Sequence, residues 1–456
     1  MEPNENLNKY LTHSSKSKDW GIKAARILHA ALAAVDPFFA VQEALNDPEL
    51  IPGNLKEITE KGKIQLIGAG KAGEPMAEAV QEYFPSEISE GIVIVKDGYT
   101  KKAKLSEKIK IFEARHPLPD QRGVDATHRM TKLLQKSSSD DLVICLISGG
   151  GSALLMDPVP GVSLEEIQKL TEILLKSGAN INEINTLRKH LDQVKGGQLA
   201  RIAAPAKMLC LILSDVVGDP LDVIASGPTV PDPSTFRDAI DILEKYGIKD
   251  DIPESIRTHL AQGLRGKISE TPKPGEKIFS SVHNYIVGSN QTASQAALTQ
   301  AISEGFNCLC LTNYLQGEAS HIGKFAGSIL RQMAMHDQPI PRPACLILGG
   351  ETTVTIRGTG TGGRNQELAL GAVSELESLD NIALISLATD GGDGPSDAAG
   401  AVVTGETKSR ATSLNLDPNA FLSNNDSYNF FLPLGDLLKI GPTRTNVNDL
   451  TFLFAF

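Results

Sequence analysis

Cysteine is scarce in this chain: Cys145, Cys210, Cys308, Cys310 and Cys345 are the five among 456 residues. The number is odd and no C-x-x-C spacing occurs, so neither a disulfide framework nor a standard zinc site is indicated. Each lies in a short apolar run (LVICLIS, MLCLIL, FNCLCLT, ACLILGG) and is expected as a buried strand thiol. Long apolar runs are missing too. The longest, near residues 30–35, is broken by Asp36 and Pro37, so no membrane-spanning segment is expected. The first twenty residues hold Glu2, Glu5 and Asp19 with no arginine and no apolar core, which argues against a leader and for a cytoplasmic location. Positive charge is in deficit: 44 Lys+Arg against 55 Asp+Glu gives −11. Such a chain has no global pull toward nucleic acid or anionic lipid, and neither is expected as a partner. Any positive charge for an anionic substrate must be local.

Apolar material, by contrast, is ample. Hydrophobic residues make up 41%, and 41 glycines raise the apolar share to about half, the ordinary globular value. The length implies two or three domains at about 150 residues each. Strand-like runs stand at Lys63–Gly68, Gly91–Val95, Ile109–Glu113, Leu142–Ile147, Met208–Leu213, Asn284–Val287, Cys308–Thr312, Ala344–Leu348 and Ile382–Leu387. Helical stretches such as Pro75–Tyr83, Leu164–Lys176, Thr292–Ser303 and Ile322–Met335 lie between them. This alternation predicts βαβ units, hence an α/β fold with a mostly parallel sheet. Leu264–Lys277, with two prolines and two glycines among charges, reads as a linker. A larger domain before it and a smaller one after it are expected, with a cleft between.

The chemistry gathers at glycine-rich junctions. Gly68, Gly70 and Gly73 in IQLIGAGKAG have G-x-G-x-x-G spacing. As a dinucleotide fingerprint it would use Asp97 as the ribose partner. Lys71 inside the turn points instead to contact with a phosphate or carboxylate. Ser148, Gly149, Gly150, Gly151 and Ser152 follow the strand LVICLI and can turn successive amides toward an anion. Residues 358–367, GTGTGGRNQE, run into a helix with Arg364 at the junction, and Glu351 stands at a strand's carboxyl end. NTLRKHLDQVKGG carries Arg188, Lys189 and Lys195, either as anion contacts or as a solvated basic face. Asp215, Asp219 and Asp222, and again Asp390, Asp393 and Asp397, follow strands; such aspartates hold Mg²⁺, accept a hydroxyl proton, or cap turns. His116, before Pro117, reads equally as an ordered turn or a catalytic group. No Walker A loop, protein-kinase H-R-D or D-F-G, or G-x-S-x-G occurs. Amide nests, cations and carboxylates at strand ends are the set that phosphoryl transfer needs.

GAGKAG, HPLPD, SGGGSALL, NTLRKHLDQVKGG, SDVVGDPLDVIASGPTVPDPSTF, GGETTVTIRGTGTGGRNQELAL, ATDGGDGPSDAAGA and GPTRTNVNDL, in that order from Ala24 to Leu450, resemble the class II glycerate kinases, the MOFRL family. The resemblance implies a Rossmann-like domain over residues 1–265, a linker over 266–283 and a MOFRL domain over 284–456, with the active site in the cleft between them. It implies ATP- and Mg²⁺-dependent phosphorylation of D-glycerate, usually at the 2-hydroxyl, with Lys71 and Arg364 catalytic. Asp215 and Asp390 join them as catalytic candidates. Ser148–Ser152, Lys195 and Glu351 are expected at the nucleotide, and Asp215, Asp390 and Asp393 at the metal. D-glycerate and ATP are the expected partners, with a homodimer left open. Because some members have been labelled hydroxypyruvate reductases, an NAD(P)H-dependent reductase is the runner-up, followed by a non-catalytic metabolite-binding protein. Two residues depart from the pattern. Gln121 replaces a glutamate, and Arg444 replaces a glycine; if that position requires a positive φ, the arginine is strained.

Overall fold

The computed structural model describes residues 7–47, 62–100 and 104–456. The chain divides into two compact units, one formed by Pro37–Val287 and one by the segment through Asp36 together with Gly288–Phe456.

The first unit is built on β1 (Ile64–Ala69), β2 (Ile88–Lys96), β3 (Ile109–Ala114), β4 (Leu142–Ile147), β5 (Lys207–Leu213) and β6 (Val282–Gly288). Their order in the sheet is β3-β2-β1-β4-β5-β6, and β1 through β5 pair in parallel. β1 and β4 are buried along their whole length, as in a sheet covered on both faces; β4 is an unbroken apolar run, and Gln65, the one polar residue of β1, accepts from Ser137 Oγ at 2.6 Å. Ile67, Val143, Cys145, Met208 and Cys210 share one core with Leu154 and Leu199 from the covering helices.

The second unit holds β7 (Asn307–Leu315), β8 (Ala344–Gly350), β9 (Ile382–Ala388), β10 (Gly400–Thr404), β11 (Leu437–Leu438) and β12 (Asp449–Ala455), in the order β11-β10-β9-β12-β8-β7. The nine expected strands are all present, and β10, β11 and β12 are additions. β12 runs antiparallel between β8 and β9, so this sheet is mixed. The consequence is local. Asp449 at the start of β12 pairs with Gly350 and with Ala388, at the carboxyl ends of β8 and β9.

Two expectations about the division need correcting. The helix Asp19–Ala33 was expected in the larger domain but packs on the helix Asn290–Ser303 of the second unit, burying Ala24, Ala25, Leu28 and Ala31. The stretch expected as a linker is pinned to the first unit. Buried Thr271 donates to Asp232 Oδ2 at 2.9 Å, Asp232 N donates to Pro272 O, and β6 then completes the first sheet. Cys308 and Cys310 are only half-buried, because β7 is an edge strand, whereas Cys145, Cys210 and Cys345 are buried as expected. Among the described residues no single helix is long and apolar enough to cross a membrane.

Candidate active site

In the first unit the strand order reverses between β1 and β4, and open α/β sheets bind ligands outside the carboxyl ends at such a point. The two glycine turns leaving these strands interlock. Ser148 N donates to Ala69 O at 3.1 Å, Lys71 N to Gly149 O at 2.9 Å, and Ala72 N to Ser148 Oγ at 3.0 Å. Gly70 has φ +145°, and a Cβ there would lie 2.0 Å from Ser148 Oγ, so only glycine lets the turns meet. Gly150, at φ +89°, lies under the His116 ring. Ser148 is therefore buried against the Lys71 turn, while Lys71, Gly150 and Ser152 remain half-exposed. Lys71 forms no ion pair among the described residues. Burial, with the Lys71 and Lys96 cations nearby, pushes the His116 imidazole down to about 4. It is neutral near pH 7 and adds no second positive charge. The carboxylate that a dinucleotide reading would place on a ribose is occupied: Arg122 forks Asp97 with two bonds of 2.8 Å.

Ser152 Oγ lies 3.0 Å from Ser226 Oγ, which donates to Asn185 Oδ1 at 3.0 Å. Ala225, Ser226 and Gly227 all have positive φ, at 50°, 61° and 60°. Two non-glycine residues in succession in that region is a costly arrangement of the kind found around functional sites. Lys195, expected at the nucleotide, is fully buried instead. Its ammonium donates to Leu155 O and lies 3.2 Å from Asp192 Oδ2. Burial pushes the Lys195 ammonium down and the Asp192 carboxyl up. Its role is that of an interior strut between the segment after Ser152 and the one after His190.

In the second unit the helix Arg364–Ala372 begins at the expected cation. Asp449 pairs with the Arg364 guanidinium: Oδ1 accepts from NH2 at 3.2 Å, Oδ2 lies 2.6 Å from Nε outside hydrogen-bond geometry, and Glu351 accepts from NH1. Glu351, expected at the nucleotide, is thus a partner of Arg364. Burial outweighs the guanidinium and pushes the Asp449 carboxyl up to about 7. Asp393, expected at a metal, is buried and accepts from Asn365 N at 3.1 Å and Gln366 N at 2.8 Å. Both its oxygens cap the helix, where an anion is favoured. Asp390 is half-buried, one oxygen accepting from Gly392 N at 3.1 Å; Asp215, after β5, is half-buried as well. Arg444 has φ +71°, in a loop tied by Thr443 N to Asp390 O and by Thr445 Oγ1 to Val35 O. A cavity of about 600 Å³ lined by Trp20, Lys23, Asp380 and Phe456 lies at the opposite end of this sheet, where β9 begins and β12 ends.

Comparison with known proteins decides the family. The family model described as Domain of unknown function (DUF4147) matches residues 23–261, and the MOFRL family matches residues 344–449. A D-glycerate 2-kinase from Thermotoga maritima is 45% identical, over 94% of this chain and 96% of its own. The chain belongs to the glycerate kinase family. The crystal structure of a Thermotoga maritima glycerate kinase matches with a TM-score of 0.86 at 44% identity, covering 95% of this chain and 99% of that one. A relative from Agrobacterium vitis, 42% identical over 93% of this chain and 92% of its own, bears a provisional hydroxypyruvate reductase name.

As a member of the glycerate kinase family, the chain brings Lys71 together with Ser148–Ser152 in one unit, and Arg364 with Glu351 in the other. Among the described residues no group of three His, Cys, Asp or Glu is placed to hold a metal ion. Sequence reasoning missed Asn185, Ser226 and Asp449. All three lie within the recurring motifs, and Asp449, directly before an apolar run, carried the one local signal available.

Proposed function

We propose that this chain is an ATP-dependent kinase that phosphorylates D-glycerate at its 2-hydroxyl. The observation that carries this reading is Lys71, a cation on interlocked glycine turns at the sheet's switch point, without an ion-pair partner among the described residues. A cation so placed has its whole charge available to a ligand anion. In this reading the Ser148–Ser152 turn receives the ATP phosphates and Lys71 neutralises the transferring phosphoryl group. Arg364, oriented by Asp449 and Glu351, meets the glycerate carboxylate or the same phosphoryl group. The hydroxyl oxygen bonds to the γ-phosphorus, the bond to the ADP oxygen breaks, and the hydroxyl proton passes to a carboxylate, Asp215 or Asp390. Charge spreads over the equatorial oxygens in a loose transition state, so the cations and amides outweigh the base.

Mg²⁺ belongs to the same proposal. Asp215 and Asp390 are half-buried oxygen donors at strand ends, of the kind Mg²⁺ takes one or two at a time. Asp215 or Asp390 would hold it, and when bound it would neutralise phosphate charge. Lys195 and Asp393 serve the scaffold in this scheme.

Turnover of D-glycerate, ATP and Mg²⁺, coupled through enolase and pyruvate kinase with ATPase background subtracted, tests the reading. Glycerate-dependent pyruvate is expected, because enolase accepts only the 2-phosphate. A 3-phosphate found by chromatography would overturn the position. Absence of any phosphoglycerate, with NADH consumed on hydroxypyruvate, would replace the kinase by the reductase.

A further inference from the structure

The helix Ile181–His190 ends in three basic residues, two of which are engaged. Lys189 Nζ lies 3.4 Å from Asp232 and 3.5 Å from Asp222, and His190 Nε2 lies 3.1 Å from Glu270. Arg188 is half-buried, and its guanidinium makes no hydrogen bond or ion pair among the described residues; burial pushes it down, against the more distant pull of the Asp192 carboxylate. One turn earlier, Asn185 is 2% exposed. Its Oδ1 accepts from Ser226, and its Nδ2 is buried with no partner. Residues three apart share a helix face, which puts Asn185 and Arg188 on the same side of the helix. Ser226 joins them to Ser152, the last residue of the glycine turn.

A buried amide without a partner and a cation drawn partly out of water each cost stability. A fold that keeps both together is missing something specific. Each unmet group is a donor, and none is an acceptor, so the chemistry that completes the cluster is an acceptor-only anion. A guanidinium fork with a planar amide suits a flat or tetrahedral oxyanion better than a single atom.

We infer that Asn185 and Arg188 bind an oxyanion of a substrate, a carboxylate or a phosphate, beside Ser152. The inference rests on the kinase reading only for which substrate brings that oxyanion. Ser226 then acts as a positioning residue, fixing which face of the Asn185 amide is left to donate.

The test compares wild type with Arg188→Met, Asn185→Leu and the conservative Arg188→Lys. The Michaelis constant for one substrate should rise about 10- to 100-fold in Arg188→Met, the loss of a hydrogen bond to a charged group, with a smaller rise in Arg188→Lys. A rise for D-glycerate identifies the carboxylate, and a rise for ATP identifies a phosphate. The thermal midpoint of Arg188→Met should hold, since no hydrogen bond or ion pair of the guanidinium is lost; a merely structural arginine would lower it. Calorimetric titration with D-glycerate and with inorganic phosphate reads the site without turnover. Binding lost in Arg188→Met, in a wild-type protein that fails the coupled assay, would sink the kinase and leave this site standing. Unchanged Michaelis constants and unchanged titrations in folded variants would overturn the inference and leave the kinase. If Arg188→Met does not fold, Arg188→Lys and Asn185→Leu decide by the same readouts.

Discussion

Lys71 sits half-buried on a glycine turn with no ion-pair partner among the described residues, whereas Arg364 is held by two carboxylates, Glu351 and Asp449. The first cation has its charge free and its position set only by its own backbone turn. The second is held between two carboxylates and has its charge already answered. A free cation gives up its hydration when the ligand arrives. A clamped one is oriented beforehand but shares its charge. The two units therefore illustrate two ways of keeping positive charge in an acidic protein, one reserved for the ligand and one stabilised by the fold.

Substitutions can break that contrast. Arg364→Ala should lower kcat by about 10³- to 10⁵-fold. It should also destabilise the protein by about 3–5 kcal/mol, since Asp449 is left buried without its counter-ion; calorimetry would register that loss. Lys71→Ala should lower kcat by about 10²- to 10³-fold with the thermal midpoint unchanged. A Lys71→Ala protein that also melts early would erase the distinction, and one with near-wild-type turnover would remove Lys71 from the chemistry.

The two units should also titrate with opposite signs. His116 falls from 6.5 to about 4 on folding, so the unfolded chain binds its proton first, and stability declines as pH drops through that window. Asp449 rises from 3.8 to about 7, so the folded chain binds its proton first, and stability declines as pH rises through that window. His116→Gln should flatten the first slope and Asp449→Asn the second in denaturation series across pH 4–7. Smallest is Arg444→Gly, which relieves a left-handed arginine but gives up its side-chain interaction, and is expected to shift stability by no more than about 1 kcal/mol. Loss of activity in that variant would give the arginine a substrate role.

Much of the scaffold was legible because β4, β5 and β8 carry unbroken apolar runs, and β1 and β9 are interrupted only by Gln65 and Ser386; such a run has few other places to go. β12 shares that character but runs antiparallel, and strand direction leaves no mark on an apolar run. The Lys71 and Ser148–Ser152 turns were legible as glycine chemistry. Lys195 and Asp393 were not, because a charged residue beside a glycine turn reads alike whether it faces inward or outward. Only the positions of Asp192, Leu155 and the Arg364 helix decide. Ser152, Ser226 and Asn185 lie 74 and 41 residues apart along the chain, so no local pattern could join them. Arg444 shows the opposite case: an unusual residue in a glycine position announced its positive φ in advance.

The discontinuous unit has a further consequence during synthesis. The helix Asp19–Ala33 is made early, but its partner Asn290–Ser303 comes after the continuous unit, residues 37–287. That stretch takes roughly 10–50 s to make at about 5–20 residues per second. Throughout, the face bearing Leu28 and Ala31 lacks the helix it packs on in the finished fold. β12, which lies between β8 and β9, follows later still. Until Asn290–Ser303 is made, that face is apolar surface left to water.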